Sequence, residues 1–264
     1  MSCSLIDFCN GNVYLIYGTF LVLPEVDLFM NCEGSEIFDR LSEEYHIDSK
    51  DFVAFDVWIS SKDPFKVLVA TILSQNTTDK STYKSFKTLE EKVGVEVKKI
   101  ADADYNLISE SIRFSGLNNS KAKKLKEIAQ ILLKEYHGDL WNILNESPET
   151  SRKILISLPG VGDKTADVVL LTCKGYEAFP VDTHIRRIAV RLGIAKERET
   201  YTVISNRLMT LFHGKDFLKA HHLLITHGRK TCKANKPLCQ ICPINYCCEF
   251  YKRKDNQGRN QQAA

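Results

Sequence analysis

Four cysteines near the C-terminus, Cys232, Cys239, Cys242 and Cys248, follow the pattern C-x6-C-x2-C-x5-C within seventeen residues. Thiolates this crowded have few uses other than metal, and a shared metal fixes the path of the whole segment. Zinc is the generic candidate, but zinc sites usually pair two short C-x2–4-C knuckles, and this chain has one after a longer first loop. Cys247 adjoins the fourth position and stands as an alternative to Cys248. Nine cysteines occur in all, five of them between Cys232 and Cys248, with no secretory signal. That usage points to metal-bound thiolates in a reducing compartment rather than to disulfides.

With 264 residues, 44% of them apolar, the chain can build one large or two modest domains. The formal charge of +3 is small, so a nucleic-acid surface has to come from local Lys and Arg clusters, such as Lys230, Lys233 and Lys236 around the cysteines. The apolar run Val13 to Leu23 is about half the length that crosses a bilayer and lacks a basic leader, which argues against a membrane anchor or signal peptide. It reads instead as an accessory β-hairpin, Val13–Tyr17 and Phe20–Leu23 around Gly18-Thr19. From about Ser35 the signals are helical. Asp63 is a favoured N-cap with Pro64 at the first helical position, leading into apolar Phe65–Leu73. Ser120 precedes Lys121–Tyr136, where Ala122, Leu125, Ile128, Ala129, Leu132 and Leu133 recur at helical spacing and the Lys and Glu residues take the other face. The polar tail after about Lys252 reads as disordered.

Leu158 to Gly162, the string LPGVG, separates two helical stretches, Pro148–Ser157 and Asp163–Cys173. Gly160 and Gly162 permit a tight turn whose backbone amides can approach a phosphate at the start of the second helix. Such contacts hold a nucleic-acid backbone without reading its sequence. Taken alone, a GxG between helices is no more than a helix–helix turn. The full string LPGVGDKTADVV, however, resembles the helix-hairpin-helix of the endonuclease III family of DNA glycosylases. The resemblance runs from about Pro64 to Tyr251 and takes in DPFKVLVATILSQNTTD, GLNNSKAKKL, FPVDTHIRR, HHLLITHGR and the cysteine run.

Several roles follow from that resemblance. Lys164 matches the position of the amine nucleophile, and Asp182, eighteen residues later, that of an essential carboxylate. Breaking an N-glycosidic bond builds positive charge on the sugar, which a carboxylate can stabilise while a neutral amine attacks C1′. The resulting Schiff base acidifies the C2′ proton, so β-elimination of the 3′-phosphate can follow. Asp is also a favoured N-cap for a helix beginning near Thr183. Leu158, Gly160, Val161 and Gly162 become DNA-binding residues. His184 contacts DNA or holds its loop. Asn76, by count from Ser74 to Asp79, or its neighbour Gln75 fills the gap left by an extruded base. The cysteine spacing resembles a [4Fe–4S] loop held by Cys232, Cys239, Cys242 and Cys248. His213, His221, His222 and His227 show no ligand spacing and read as satisfied structural histidines.

The expected fold is mainly α, two-lobed: a helical barrel over 66–176, a discontinuous lobe of 51–65 and 177–252 carrying the cluster, an N-terminal extension over 1–50 and a flexible tail over 253–264. The expected activity is that of a bifunctional DNA glycosylase/AP lyase of base excision repair, removing damaged bases, oxidised pyrimidines above all. Its expected partner is double-stranded DNA with damaged bases or abasic sites, bound by a monomer, in the cytoplasm with the nucleoid or in a nucleus. Competing readings are a glycosylase of the same fold for oxidised purines or mismatched thymine, a non-catalytic DNA-binding module, and a zinc-bound structural protein.

Overall fold

The structure is a computed structural model that describes residues 32–253 and, as backbone, the strand residues 15–16 and 19–20. Strands β1 (Leu15–Ile16) and β2 (Thr19–Phe20) pair antiparallel, Leu15 opposite Phe20. The rest of the expected hairpin and the tail beyond Arg253 lie outside the described residues. The chain continues through α1 (Gly34–Glu44), α2 (Val53–Ser61), α3 (Pro64–Leu73) and α4 (Asp79–Lys92). Short α5 (Val97–Asp102) and α6 (Tyr105–Ser111) lead to the long α7 (Asn118–Glu135), then α8 (Trp141–Leu144). A helical hairpin of α9 (Pro148–Ser157) and α10 (Asp163–Lys174) follows, then α11 (Thr183–Leu192), α12 (Tyr201–Leu211), α13 (Phe217–Lys230) and the cysteine loop. No helix among the described residues is long and apolar enough to cross a membrane.

Two apolar cores divide the molecule. The first is centred on α3, which starts as its sequence dictates: the Asp63 carboxylate accepts from the amides of Phe65 (2.8 Å) and Lys66 (3.4 Å), with Pro64 in the first turn. Apart from Lys66, every residue of α3 is buried, which suits a helix apolar on all sides. Around it pack Leu125, Ile128 and Leu132 of α7, Leu155 of α9 and Val169 of α10. Helix α7 departs from expectation in three ways. It begins at Asn118 after a left-handed Leu117 (φ 49°), so Ser120 lies inside it. Leu133, one step past Leu132 and so turned off the stripe, is 38% exposed. Lys121, assigned to the solvated face, is 2% exposed, because its ammonium is bonded to three backbone carbonyls.

The second core joins Ile37, Phe38 and Leu41 of α1 to Phe179, Ile188, Leu208, Leu223 and Ile244. Residues 32–50 are therefore part of this lobe rather than an extension. Their amphipathic helix α1 buries its apolar side there, and Gly34 admits the backbone of α12, since a Cβ there would lie 1.7 Å from the Leu211 carbonyl oxygen. The chain crosses between cores at Phe52–Val53: Phe52 packs in the second, whereas Val53, Val57 and Phe65 pack in the first. The stretch 51–65 thus divides differently from the expected boundary, because α2 lies against α3. A return crossing runs from Tyr176 to Phe179.

Candidate active site and nucleic-acid interface

The hairpin of α9 and α10 is held by one guanidinium. Arg152 Nε donates to Asp167 at 2.7 Å and its Nη2 to Asp163 at 2.8 Å, a charge-assisted fork across the two helices. Asp167, 2% exposed, also accepts from the Tyr201 hydroxyl at 2.6 Å, and that hydroxyl accepts from the Val181 amide at 3.4 Å. The hairpin is thereby tied to the segment that leads into Asp182. Gly160 takes a left-handed backbone (φ 76°) at the turn. Gly162 starts α10 with no side-chain cap, which leaves the first amides of that helix available to an anion. Leu158 and Val161 stand in the turn itself. Their side chains are buried in the first core, and their amides donate to the carbonyls of Leu155 and Leu158, both at 3.1 Å. They shape the turn, and no backbone hydrogen bond among the described residues uses the amides of Gly160, Gly162 or Asp163.

Between the lobes lies a cavity of about 540 Å³ whose walls bring together Gln75, Asn76, Lys164, Asp182 and His184. Lys164 stands in the first turn of α10. Burial lowers its pKa below the ordinary lysine value, Asp182 and Asp79 oppose that shift, and Arg229 adds to it. The amine is thus made easier to deprotonate despite the carboxylate nearby. Asp182 caps α11, its side chain accepting from the Ile185 amide at 2.8 Å, which fixes the carboxylate. His184 Nδ1 lies 3.1 Å from Arg187 Nη2, and Arg187 in turn donates to the carbonyls of Gly228 (2.9 Å) and Cys232 (3.0 Å). His184 therefore both lines the cavity and braces α11 on α13.

The two residues after α3 differ. Gln75 Nε2 donates to the Gly160 carbonyl and to Thr165 Oγ1, both at 3.2 Å, so its side chain is tethered to the hairpin. Asn76 is exposed and left-handed (φ 55°). Three further features escape sequence reading because they depend on contacts between distant segments. Arg229 of α13 pairs with Asp79 of α4 at 2.8 Å, joining the lobes at the cavity wall. Leu117, between Gly116 and α7, is 64% exposed. His221, read as a satisfied structural histidine, lines the cavity 5% exposed with neither ring nitrogen hydrogen-bonded. Burial drives its pKa well below the ordinary value, so the ring is neutral. His222 beside it stacks on Phe52, ring centroids 4.0 Å apart.

Cys232, Cys239, Cys242 and Cys248 line one small cavity together with Ile188, Leu192, His227 and Phe250. None of the four is in a disulfide. Burial pushes the Cys242 thiol up to about 12, and Cys232, Cys248 and Cys239 add to that rise. Arg191 Nη1 reaches Cys232 Sγ at 3.3 Å, a cation against the negative charge that four thiolates would carry. Among the described residues no three His, Cys, Asp or Glu side chains converge as the shell of a single metal ion. Cys247 turns the other way and is disulfide-bonded to Cys32, Cα atoms 5.6 Å apart. That corrects the expectation of a chain free of disulfides and removes Cys247 as a ligand. Lys230, Lys233 and Lys236 are all exposed around the loop.

Residues 69–213 match the model of the HhH-GPD superfamily of base excision DNA repair proteins. An endonuclease III of Sulfolobus acidocaldarius is 43% identical over 219 residues, spanning 83% of this chain and 96% of the relative. Among solved structures, a non-covalent endonuclease III–DNA complex superposes with a TM-score of 0.70 at 28% identity, covering 85% of this chain and 99% of that one. A trapped endonuclease III–DNA covalent intermediate in an estranged-adenine complex gives 0.67 at 28% identity, covering 84% and 99%. With its mainly helical fold, hairpin and interlobe cavity, the chain belongs to the HhH-GPD superfamily and, within it, to the endonuclease III family of DNA glycosylases.

Proposed function

We propose that the protein is a bifunctional DNA glycosylase/AP lyase that removes oxidised pyrimidines from duplex DNA as a monomer. The observation that carries this reading is the sharing of one interlobe cavity by Lys164, whose burial favours the neutral amine, and Asp182, fixed as a helix cap. The hairpin amides and the exposed lysines of the cysteine loop supply phosphate contacts. The damaged nucleotide swings into the cavity, Asn76 fills the gap it leaves, and exposed Leu117 is presented by the loop ahead of α7. His221 offers the extruded base an imidazole nitrogen that has no partner in the protein.

Lys164 attacks C1′ through its lone pair as the base departs with the electrons of the glycosidic bond, and Asp182 stabilises the positive charge that builds on the sugar. Loss of a proton from nitrogen and opening of the sugar ring give the imine. A C2′ proton then leaves, its electrons expel the 3′-phosphate, and water releases Lys164 from the nicked product. The trapped covalent complex of a related endonuclease III supports the covalent step.

The donor set of Cys232, Cys239, Cys242 and Cys248 fits a [4Fe–4S] cluster. Four thiols that line one small cavity, with Arg191 against Cys232, supply the all-cysteine donor set and the balancing cation that such a cluster takes. When bound, such a cluster supplies a rigid cross-link for the lysine-bearing loop. Single-lesion duplexes carrying an oxidised pyrimidine, an oxidised purine or a G·T mismatch, scored separately for base release and nicking, test the proposal. Both products should be largest with the oxidised pyrimidine. Base release without nicking would overturn the lyase assignment, and preference for either other duplex the substrate class.

A further inference from the structure

Lys121 of α7 is 2% exposed, and the charged neighbour it feels is another cation, Lys124. Burial lowers its pKa to about 8. An enclosed ammonium without a carboxylate is tolerable only if its protons find other acceptors. Here the three acceptors are the carbonyls of Leu73, Gln75 and Ser115, each at 2.8 Å. They come from two separate stretches: the end of α3 with the loop that follows it, and the turn ahead of α7.

Each of the two gripped loops then does something unusual. The Gln75 carbonyl directly precedes Asn76 (φ 55°), and the Ser115 carbonyl lies two residues before Leu117 (φ 49°). Left-handed backbone at a non-glycine residue persists where its surroundings over-determine it. Both of these residues are exposed, one polar and one apolar, although the loops that carry them are fastened to a buried charge. Side chains presented outward from a fastened base are suited to entering a stacked duplex, where a displacement of about 1 Å is enough to lose the effect.

We propose that Lys121 is a positioning residue whose ammonium sets the spacing between the loop presenting Asn76 and the loop presenting Leu117, so that both enter the duplex at one lesion. This rests on the glycosylase/lyase reading above and adds to it the part that couples the two intruding loops. Among the described residues no hydrogen bond joins either loop to Lys164, although Gln75 and Asn76 line the same cavity, so the defect expected from losing the ammonium is in nucleotide extrusion.

Lys121→Met keeps the stem of the side chain and removes its three donors. The full-length variant is compared with the wild type on two substrates, duplex DNA with one oxidised pyrimidine and a single-stranded oligonucleotide with one abasic site, which needs no extrusion. The ratio of the duplex rate to the single-strand rate should fall by about tenfold or more. In parallel, 2-aminopurine placed beside the lesion should brighten on binding to the wild type and much less on binding to the variant at saturation. An unchanged ratio with a wild-type fluorescence rise would overturn the proposal, as would equal losses on the two substrates. If Lys121→Met does not accumulate as folded protein, Lys121→Gln, with two donors and no charge, takes its place, and the same results support or overturn the proposal. A wild type that brightens 2-aminopurine but nicks neither substrate would sink the lyase reading and leave the positioning role standing.

Discussion

Gln75 and Gly160, 85 positions apart, are joined by a 3.2 Å hydrogen bond from the side-chain amide of one to the carbonyl of the other. That bond separates two neighbours that the sequence leaves equivalent. Gln75 ties the loop after α3 to the hairpin turn, and Asn76 is the side chain left free. Asn76→Ala should therefore slow excision from a duplex by about tenfold, ~1.4 kcal/mol of barrier, with thermal stability near that of the wild type. Gln75→Ala should instead lower stability by about 1 kcal/mol per lost bond. Thermal melts and single-turnover rates of both variants decide this, and the reverse assignment follows if Gln75→Ala carries the kinetic loss.

The adjacent cysteines at the C-terminus should also separate. Cys248→Ser should deplete iron, sulfide and visible absorbance, since it removes one of four thiols around a common space. Cys247→Ser should keep the iron but release the tie to Cys32, costing about 2–5 kcal/mol of stability, and Cys32→Ser should match it. Metal analysis of anaerobically purified variants is the check. Iron lost from Cys247→Ser but retained in Cys248→Ser would reverse the assignment.

Asp182 affects charge on the sugar and also the proton affinity of Lys164. Asp182→Asn should slow base release by about 10²-fold while slowing nicking at a pre-formed abasic site less, because there the glycosidic bond is already broken. The pH profile carries a sign. Burial lowers the pKa of Lys164 and Asp182 raises it, so nicking should rise with pH through a value below that of an ordinary lysine. In Asp182→Asn that midpoint should move lower still. Equal losses on both substrates would assign Asp182 to imine formation or elimination, and a midpoint that moves upward would contradict the electrostatics.

The parts of this protein legible in the sequence are those carried by local pattern. Asp63-Pro64 marks the start of α3, LPGVG the hairpin turn, and C-x6-C-x2-C-x5-C the thiol ring. Lys164 and Asp182 stand out only through resemblance, since a lysine at a helix start and an aspartate cap have ordinary structural uses. What stays hidden depends on tertiary partners. Lys121 sits in a run of lysines that its spacing does not separate, and only its burial and the carbonyls of Leu73, Gln75 and Ser115 single it out. That the amides of Leu158 and Val161 close the turn on the carbonyls of Leu155 and Leu158 is likewise invisible in the string. Cys32 has no local motif that foretells Cys247, and His221 gives no sign in sequence that its ring lacks a partner. Residues 32–50 read as an extension because the core they complete is formed by segments more than a hundred positions away.

Borohydride reduces an imine to a stable amine, so trapping shows directly whether the amine of Lys164 forms the covalent link to DNA. With duplex DNA bearing one abasic site, the wild type should yield a reduced, irreversible protein–DNA adduct whose attachment maps to Lys164. Lys164→Gln should yield none and should not nick, while binding undamaged duplex with an affinity within about twofold of the wild type, because the hairpin's phosphate contacts remain. An undiminished adduct from Lys164→Gln, or one that maps to another residue in the wild type, would rule out Lys164 as the nucleophile.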